Sequence, residues 1–217
     1  MNLVFRFMSL AVLAGTISSS LPAHAADIID GWAQVQAPAA PKLDDVTVDP
    51  KTTALLMLDF LKQNCAPNPV CMGTLPAMQN LLKMARDKKM LVVYTKFPSP
   101  SPTIPAPTAA DILQPVAPLG KEPLITAFLD KFPKTNLDAV LKKNHIKTVI
   151  VVGSAGNGAV LFTAASAYFH GYDVVVPVDG ISSRAPYADQ ATVNTLATGP
   201  VMGGKIKITR STMITIQ

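Results

Sequence analysis

Residues 147–167, KTVIVVGSAGNGAVLFTAASA, constrain the fold more than any other part of this sequence. From Thr148 to Val152 every residue is β-branched, the pattern of a strand covered on both faces. Such strands belong to parallel sheets. A glycine-rich turn follows, Gly153-Ser154-Ala155-Gly156-Asn157-Gly158, and then a run of small residues that can pack closely on a sheet as a helix. In open parallel sheets, ligands sit where strands hand over to helices. Backbone N–H groups at the helix start, near Gly158 and Ala159, favour a carboxylate, a phosphate or an oxyanion. This turn is the expected site.

The rest of the chain alternates in the same way. Residues 52–60 (TTALLMLDF) predict a first strand, apolar on both faces and ending at the carboxylate of Asp59. Further strands are expected at 91–95, 123–126, 172–179 and 205–208. Thr74 can cap a helix with Leu75, Met78, Leu81, Leu82 and Ala85 on one face, and Thr135 one with Leu137, Val140 and Leu141. Another helix is expected over 186–198, and Gly171 suits the left-handed stop of the helix after the glycine turn. Between the second strand and the short third one, Pro98, Pro100, Pro102, Pro105 and Pro107 exclude regular structure and leave a loop or flap. Alternating strands and helices imply an α/β fold, a three-layer Rossmann-like sandwich around a mostly parallel central sheet.

Residues 1–25 read as a secretory signal peptide. Arg6 precedes an apolar run over 7–17, and Ala23-His24-Ala25 offers small residues two apart for cleavage. That run is too short for a membrane anchor. Residues 26–50 form a polar, proline-containing extension, and 51–217 the domain proper. A periplasmic or secreted location is expected, with no membrane association after cleavage. The formal charge of +5 is spread along the chain without the basic, aromatic-studded stripe of a nucleic-acid binder. Cys65 and Cys71 are the only cysteines, and in an exported chain such a pair points to a disulfide. A two-cysteine zinc site is the rival, disfavoured because no histidine lies near in sequence.

Three segments in order resemble the isochorismatase-like cysteine hydrolases, which include nicotinamidases and carbamoylsarcosine-type amidohydrolases. Residues 53–60 are similar to the family's first strand with its terminal aspartate. Phe132-Pro133-Lys134-Thr135-Asn136-Leu137 is similar to its F-x-G-T-x-L segment. Residues 153–167, continued by Gly171-Tyr172-Asp173-Val174 and Asp179, are similar to the nucleophile strand, turn and helix and the strand after them.

The resemblance implies a triad of cysteine nucleophile, aspartate and lysine. A thiolate is a strong nucleophile once a nearby cation and a helix N-terminus lower its pKa. Asp59 matches the aspartate. Ala159 stands at the cysteine position and Thr126 at the expected lysine position, six residues before Phe132. The metal-binding residues of some members have no counterpart in Thr95-Lys96-Phe97-Pro98, so neither metal nor cofactor is expected. Ser154 and Thr163 lack an obvious base, and His145 and His170 read as surface positions at helix ends.

The expected function is therefore that of an exported isochorismatase-like protein binding a small amide- or carboxylate-bearing molecule, with the family's hydrolysis lost or altered. Asp59, Phe97, Ala155, Gly156, Asn157 and Gly158 are the expected binding residues, and self-association into a homo-oligomer is compatible with it. One alternative is a hydrolase of different chemistry using Asp59. A weaker one is a nicotinamide-dinucleotide binder, because the G-x-x-G-x-G turn with Asp179 only loosely matches that fingerprint.

Overall fold

The computed structural model describes residues 27–217, so the expected signal peptide lies outside the described residues. The chain divides into two units, Met1–Ala39 and Ala40–Gln217. In the first, residues 27–39 carry a single 3-10 turn, Trp32–Gln34, after a turn in which the Asp27 carboxylate accepts from the Ile29 and Asp30 amides.

The second unit is built on a parallel sheet. At its centre β2 (Thr53–Leu58) and β5 (Thr148–Ser154) pair from Thr53 with Thr148 to Leu58 with Gly153. β3 (Leu91–Lys96) and β4 (Leu124–Thr126) extend one side, β6 (Asp173–Pro177) and β8 (Lys207–Thr209) the other. The short β7 (Ile181–Ser182) pairs with the end of β5.

The two apolar faces of each central strand explain the layers. Leu55, Met57, Ile150 and Val152 pack with α2 (Pro69–Asp87) in one core. Ala54, Leu56, Leu58, Val149 and Val151 pack in a second core with α3 (Leu137–Lys143), α4 (Leu161–Phe169) and α5 (Pro186–Thr198). Each fully buried side chain of this size contributes about 1.5–3 kcal/mol. The result is the expected three-layer α/β sandwich.

Several local expectations are corrected. α2 begins at Pro69, not near Thr74, because proline is tolerated in a first helical turn and Asn68 caps it by accepting from the Val70 amide at 3.1 Å. The Thr74 hydroxyl lies inside the helix and donates to the Cys71 carbonyl at 2.8 Å. α3 is preceded by Asn136 at its cap position, whose side chain makes no cap bond, and Thr135, one residue earlier, accepts from the Leu137 amide at 3.2 Å. Gly171 has a φ of +88°, the left-handed stop after α4.

The segment expected as an extension also contributes structure. β1 (Val46–Val48) pairs in parallel with β9 (Ile214–Ile216) as a separate two-stranded sheet. The Asp44 amide donates to the Ile208 carbonyl at 2.8 Å, which places residues just before β1 against β8. Neither segment stands out in the sequence as an apolar or alternating run long enough to be read as a strand.

Cys65 closes α1 (Lys62–Cys65) and is disulfide-bonded to Cys71 in α2, with both residues fully buried. That pairing excludes the zinc reading, which needs free thiolates. Among the described residues no helix is long and apolar enough to cross a membrane.

Candidate functional site

The site lies at the carboxyl ends of β2, β3 and β5. Asp59 follows β2 directly and turns the chain with a φ of 52°, a left-handed conformation that aspartate tolerates better than most residues. Its amide donates to Thr95 Oγ1 at 3.2 Å, and that hydroxyl donates to Asp59 Oδ1 at 2.5 Å. Lys131 Nζ donates to Asp59 Oδ2 at 2.7 Å and to the carbonyls of Ala127 and Phe128 at 3.0 and 2.5 Å. All three ammonium hydrogens are thereby used.

This pair is dry. Lys131 is fully buried and Asp59 is 4% exposed. Burial pushes the Asp59 carboxyl up, against the opposing pull of the Lys131 charge and of hydrogen bonds from Lys131 and Thr95. Burial likewise pushes the Lys131 ammonium down, against the attraction of Asp59. Both shifts favour the neutral forms, as expected for charges removed from water.

Lys131 corrects the reading of the lysine position. Thr126, six residues before Phe132, is exposed at the end of β4 and lies off the pocket. The chain after β4 is tied back by the Ala127 amide donating to the Lys96 carbonyl at 3.0 Å, which brings Lys131 onto Asp59. A lysine directly before the apolar Phe132 carries no visible signal of burial in the sequence. The fixed count from the motif pointed elsewhere.

A cavity of about 290 Å³ opens beside Asp59. Asn64 and Asn68 form one wall, Phe97, Phe128 and Leu129 an apolar wall, and Ser154, Ala155, Gly158 and Ala159 the glycine turn. Ser183 and Arg184 complete it. Ala159 is 3% exposed, and Thr163, one turn later, accepts from the Lys131 amide at 3.3 Å. The helix therefore packs against the chain carrying the buried lysine.

The turn offers fewer free donors than its glycines imply. Gly158 and Val160 donate to the Ala155 carbonyl at 3.1 and 3.2 Å, closing a π-helical turn over Gly156–Val160. The Asn157 amide donates to Ser183 Oγ at 3.1 Å. Of the expected binding residues, Asp59, Phe97, Ala155 and Gly158 line the cavity, whereas Gly156 and Asn157 do not. Gly156 is buried, and a Cβ there would run into the Asp189 carboxylate.

Sequence reasoning missed Lys131, Asn64, Asn68, Thr95, Phe128, Leu129, Ser183 and Arg184. Arg184 is exposed beside the cavity and makes no ion pair among the described residues. The acid of the loose dinucleotide fingerprint is spent elsewhere: Asp179 accepts from the Ser211 amide and hydroxyl at 2.8 and 2.6 Å. His170 stacks on Phe132 with ring centroids 4.5 Å apart, and neither histidine lines the pocket. Among the described residues no group of three or more His, Cys, Asp or Glu could hold a metal.

Comparison with known proteins agrees with this fold. Over 76 residues the chain is 36% identical to an uncharacterized isochorismatase family protein, YaaI, of Bacillus subtilis, covering 35% of this chain and 42% of that one. Over 95 residues it is 35% identical to N-carbamoylsarcosine amidase of an Arthrobacter species, covering 43% of this chain and 35% of that one. The chain thus spans less than half the length of either relative. Its fold is similar to a cysteine hydrolase from Pseudomonas syringae, with TM-score 0.68, 20% identity and coverage of 81% of this chain and 95% of that one. It is also similar to N-carbamoylsarcosine amidase from Thermoplasma acidophilum, with TM-score 0.62, 20% identity and coverage of 74% and 96%. The Isochorismatase domain model matches residues 53–205, most of the chain, and the protein belongs to the isochorismatase family.

Proposed function

We propose that this protein is exported and binds a small carboxylate- or amide-bearing molecule in the Asp59 cavity, without the family's cysteine-dependent hydrolysis. The observation that carries the reading is Ala159, which faces the cavity at the position where the family's nucleophile is expected. A methyl group cannot attack a carbonyl. Without the nucleophile, only weak residual catalysis from the remaining groups is expected.

The wall chemistry supports the ligand class. Arg184 supplies a guanidinium suited to a carboxylate. Phe97, Phe128 and Leu129 supply an apolar surface for a flat or branched body, and Asn64 a polar amide. Export is supported by the segment over 1–25 and by the disulfide.

The test is a calorimetric screen of benzoate, hydroxybenzoates, small amides and amino acids against the mature protein. Ala159→Leu, which intrudes into the cavity, and Arg184→Ala are expected to abolish or weaken binding of any carboxylate found. A second reading, hydrolysis with Asp59 as base for a water molecule, is favoured by the place of Asp59 on the cavity wall, where burial also raises its pKa. Amide turnover in the range of ordinary enzymes, about 1–1000 per second, that is lost in Asp59→Asn would replace the binder reading with this one. Tight binding unchanged by both substitutions would place the ligand elsewhere.

A further inference from the structure

The segment from Cys65 to Cys71, CAPNPVC, holds a single buried amide side chain at the centre of a covalently closed loop. Asn68 is 6% exposed and stands between Pro67 and Pro69. A residue before proline is confined to extended backbone, and Asn68 has φ −118° and ψ 101°. Its amide donates to the Cys65 carbonyl at 2.8 Å. The disulfide, the two prolines and this bond together hold the Asn68 backbone in place.

From that position Asn68 joins two parts of the cavity lining. Nδ2 donates to the Ser183 carbonyl at 3.3 Å, while Oδ1 accepts from the Val70 amide as the cap of α2. Ser183 is also held by its amide donating to Asp189 Oδ2 at 2.9 Å and by the Asn157 amide donating to its Oγ at 3.1 Å. The glycine turn, α5 and the cystine loop thus meet at one residue, and the next residue is Arg184. Asn64, on the other flank of the loop, donates to the Asp59 carbonyl at 3.3 Å.

We infer that Asn68, held by the Cys65–Cys71 disulfide, is the positioning residue for Arg184 and so sets the affinity of the cavity for carboxylates. This rests on the proposed binding function for its ligand arm but not for its structural arm. A loosened Ser183 carbonyl lets the Arg184 backbone wander, and the guanidinium then spends less time where a carboxylate would meet it. The two ends of Asn68 do different work. Oδ1 stabilises a helix, whereas Nδ2 orders a loop far away in sequence.

Asn68→Ser separates the two roles, because serine still caps a helix but cannot reach Ser183. The paired Cys65→Ala/Cys71→Ala variant frees the loop as a whole. The first measurement is hydrogen exchange of the full mature chain. Faster exchange over residues 182–185 is expected in both variants, and in Asn68→Ser β5 and β6 are expected unchanged, with a melting temperature close to that of the parent. Benzoate binding is expected to weaken about five- to tenfold in Asn68→Ser, the equivalent of one lost hydrogen bond. Unchanged exchange over 182–185 in both variants overturns the inference whatever the ligand. Faster exchange with benzoate affinity retained also overturns it, because Arg184 would then be placed without Asn68. Faster exchange in a protein whose parent binds none of the screened carboxylates supports the positioning role and counts against the binding function instead.

Discussion

Lys131 Nζ and Asp59 Oδ2 lie 2.7 Å apart where Asp59 borders the cavity, with essentially no solvent on either side chain. A buried pair of this kind costs much to desolvate, so its net contribution is modest. Breaking it is costly all the same, because one charge is left alone. Lys131→Met is expected to destabilise the fold by about 3–5 kcal/mol. Adding Asp59→Asn to that variant should recover a large part of the loss. Urea unfolding of the parent, the single and the double variant checks this, and equal midpoints in parent and Lys131→Met would refute it.

The same pair gives stability a distinctive pH dependence. Unfolded, Asp59 titrates near 3.8 and Lys131 near 10.5. Above 3.8 and up to its raised folded value, Asp59 binds more protons folded than unfolded, so its effect is to lower stability as pH rises. From its lowered folded value up to 10.5, Lys131 binds fewer protons folded, so stability rises with pH in that window. Relative to Asp59→Asn/Lys131→Met, the parent should weaken on leaving the acid range and recover toward pH 10.5. Unfolding free energies at a series of pH values measure the difference, and parallel profiles for the two proteins would contradict it.

Restoring a thiol at residue 159 tests what remains of the family's chemistry. Ala159→Cys would line the same cavity as Asp59, whose carboxylate is paired with the Lys131 ammonium, and a nearby cation lowers a thiol pKa. Iodoacetamide should alkylate it below the pH at which an ordinary thiol reacts. Hydrolysis of a small amide should rise by about a hundredfold or more over the parent. A pH profile of alkylation matching that of free cysteine would show that the pair no longer tunes this position.

Gly153 joins the site to the sheet. Its φ of +152° is one that side chains rarely adopt, and a Cβ would run into the Leu58 carbonyl on the neighbouring strand. Gly153→Ala is expected to destabilise the protein by about 2–5 kcal/mol through strain and overpacking. Calorimetric melting of the variant decides it, and a melting temperature within a degree of the parent would contradict the close approach.

The sequence made some of this legible and hid the rest for physical reasons. The β-branched run over 148–152 and the apolar run over 53–58 announced the central strands, because a strand covered on both faces leaves no other pattern. The disulfide was legible from the spacing of Cys65 and Cys71, and Asp59 from its place at a strand end. Lys131 was not legible. A lysine reads as solvated unless its partner is known, and its partner lies in another strand's terminal loop. Arg184 and Asn68 were hidden for a related reason, since each meets the cavity only after three separate loops have converged. The short β1 and β9 were missed because neither shows a pattern without the other.

That last pairing bears on the order in which the molecule can be assembled. Val46–Val48 finds its strand partner in Ile214–Ile216, almost the whole domain later, and Val48, Ile214 and Ile216 all belong to the core that contains α2. Contacts so distant along the chain are slow to form, because loop closure must be met before they reward it. A nascent chain emerging amino end first carries Val48 uncovered until Ile216 has followed it out. The central sheet can close earlier, so the α2 side of the core is sealed last. A chain ended at Met213 would remain in that unsealed state, with faster hydrogen exchange along α2 than in the parent as its signature.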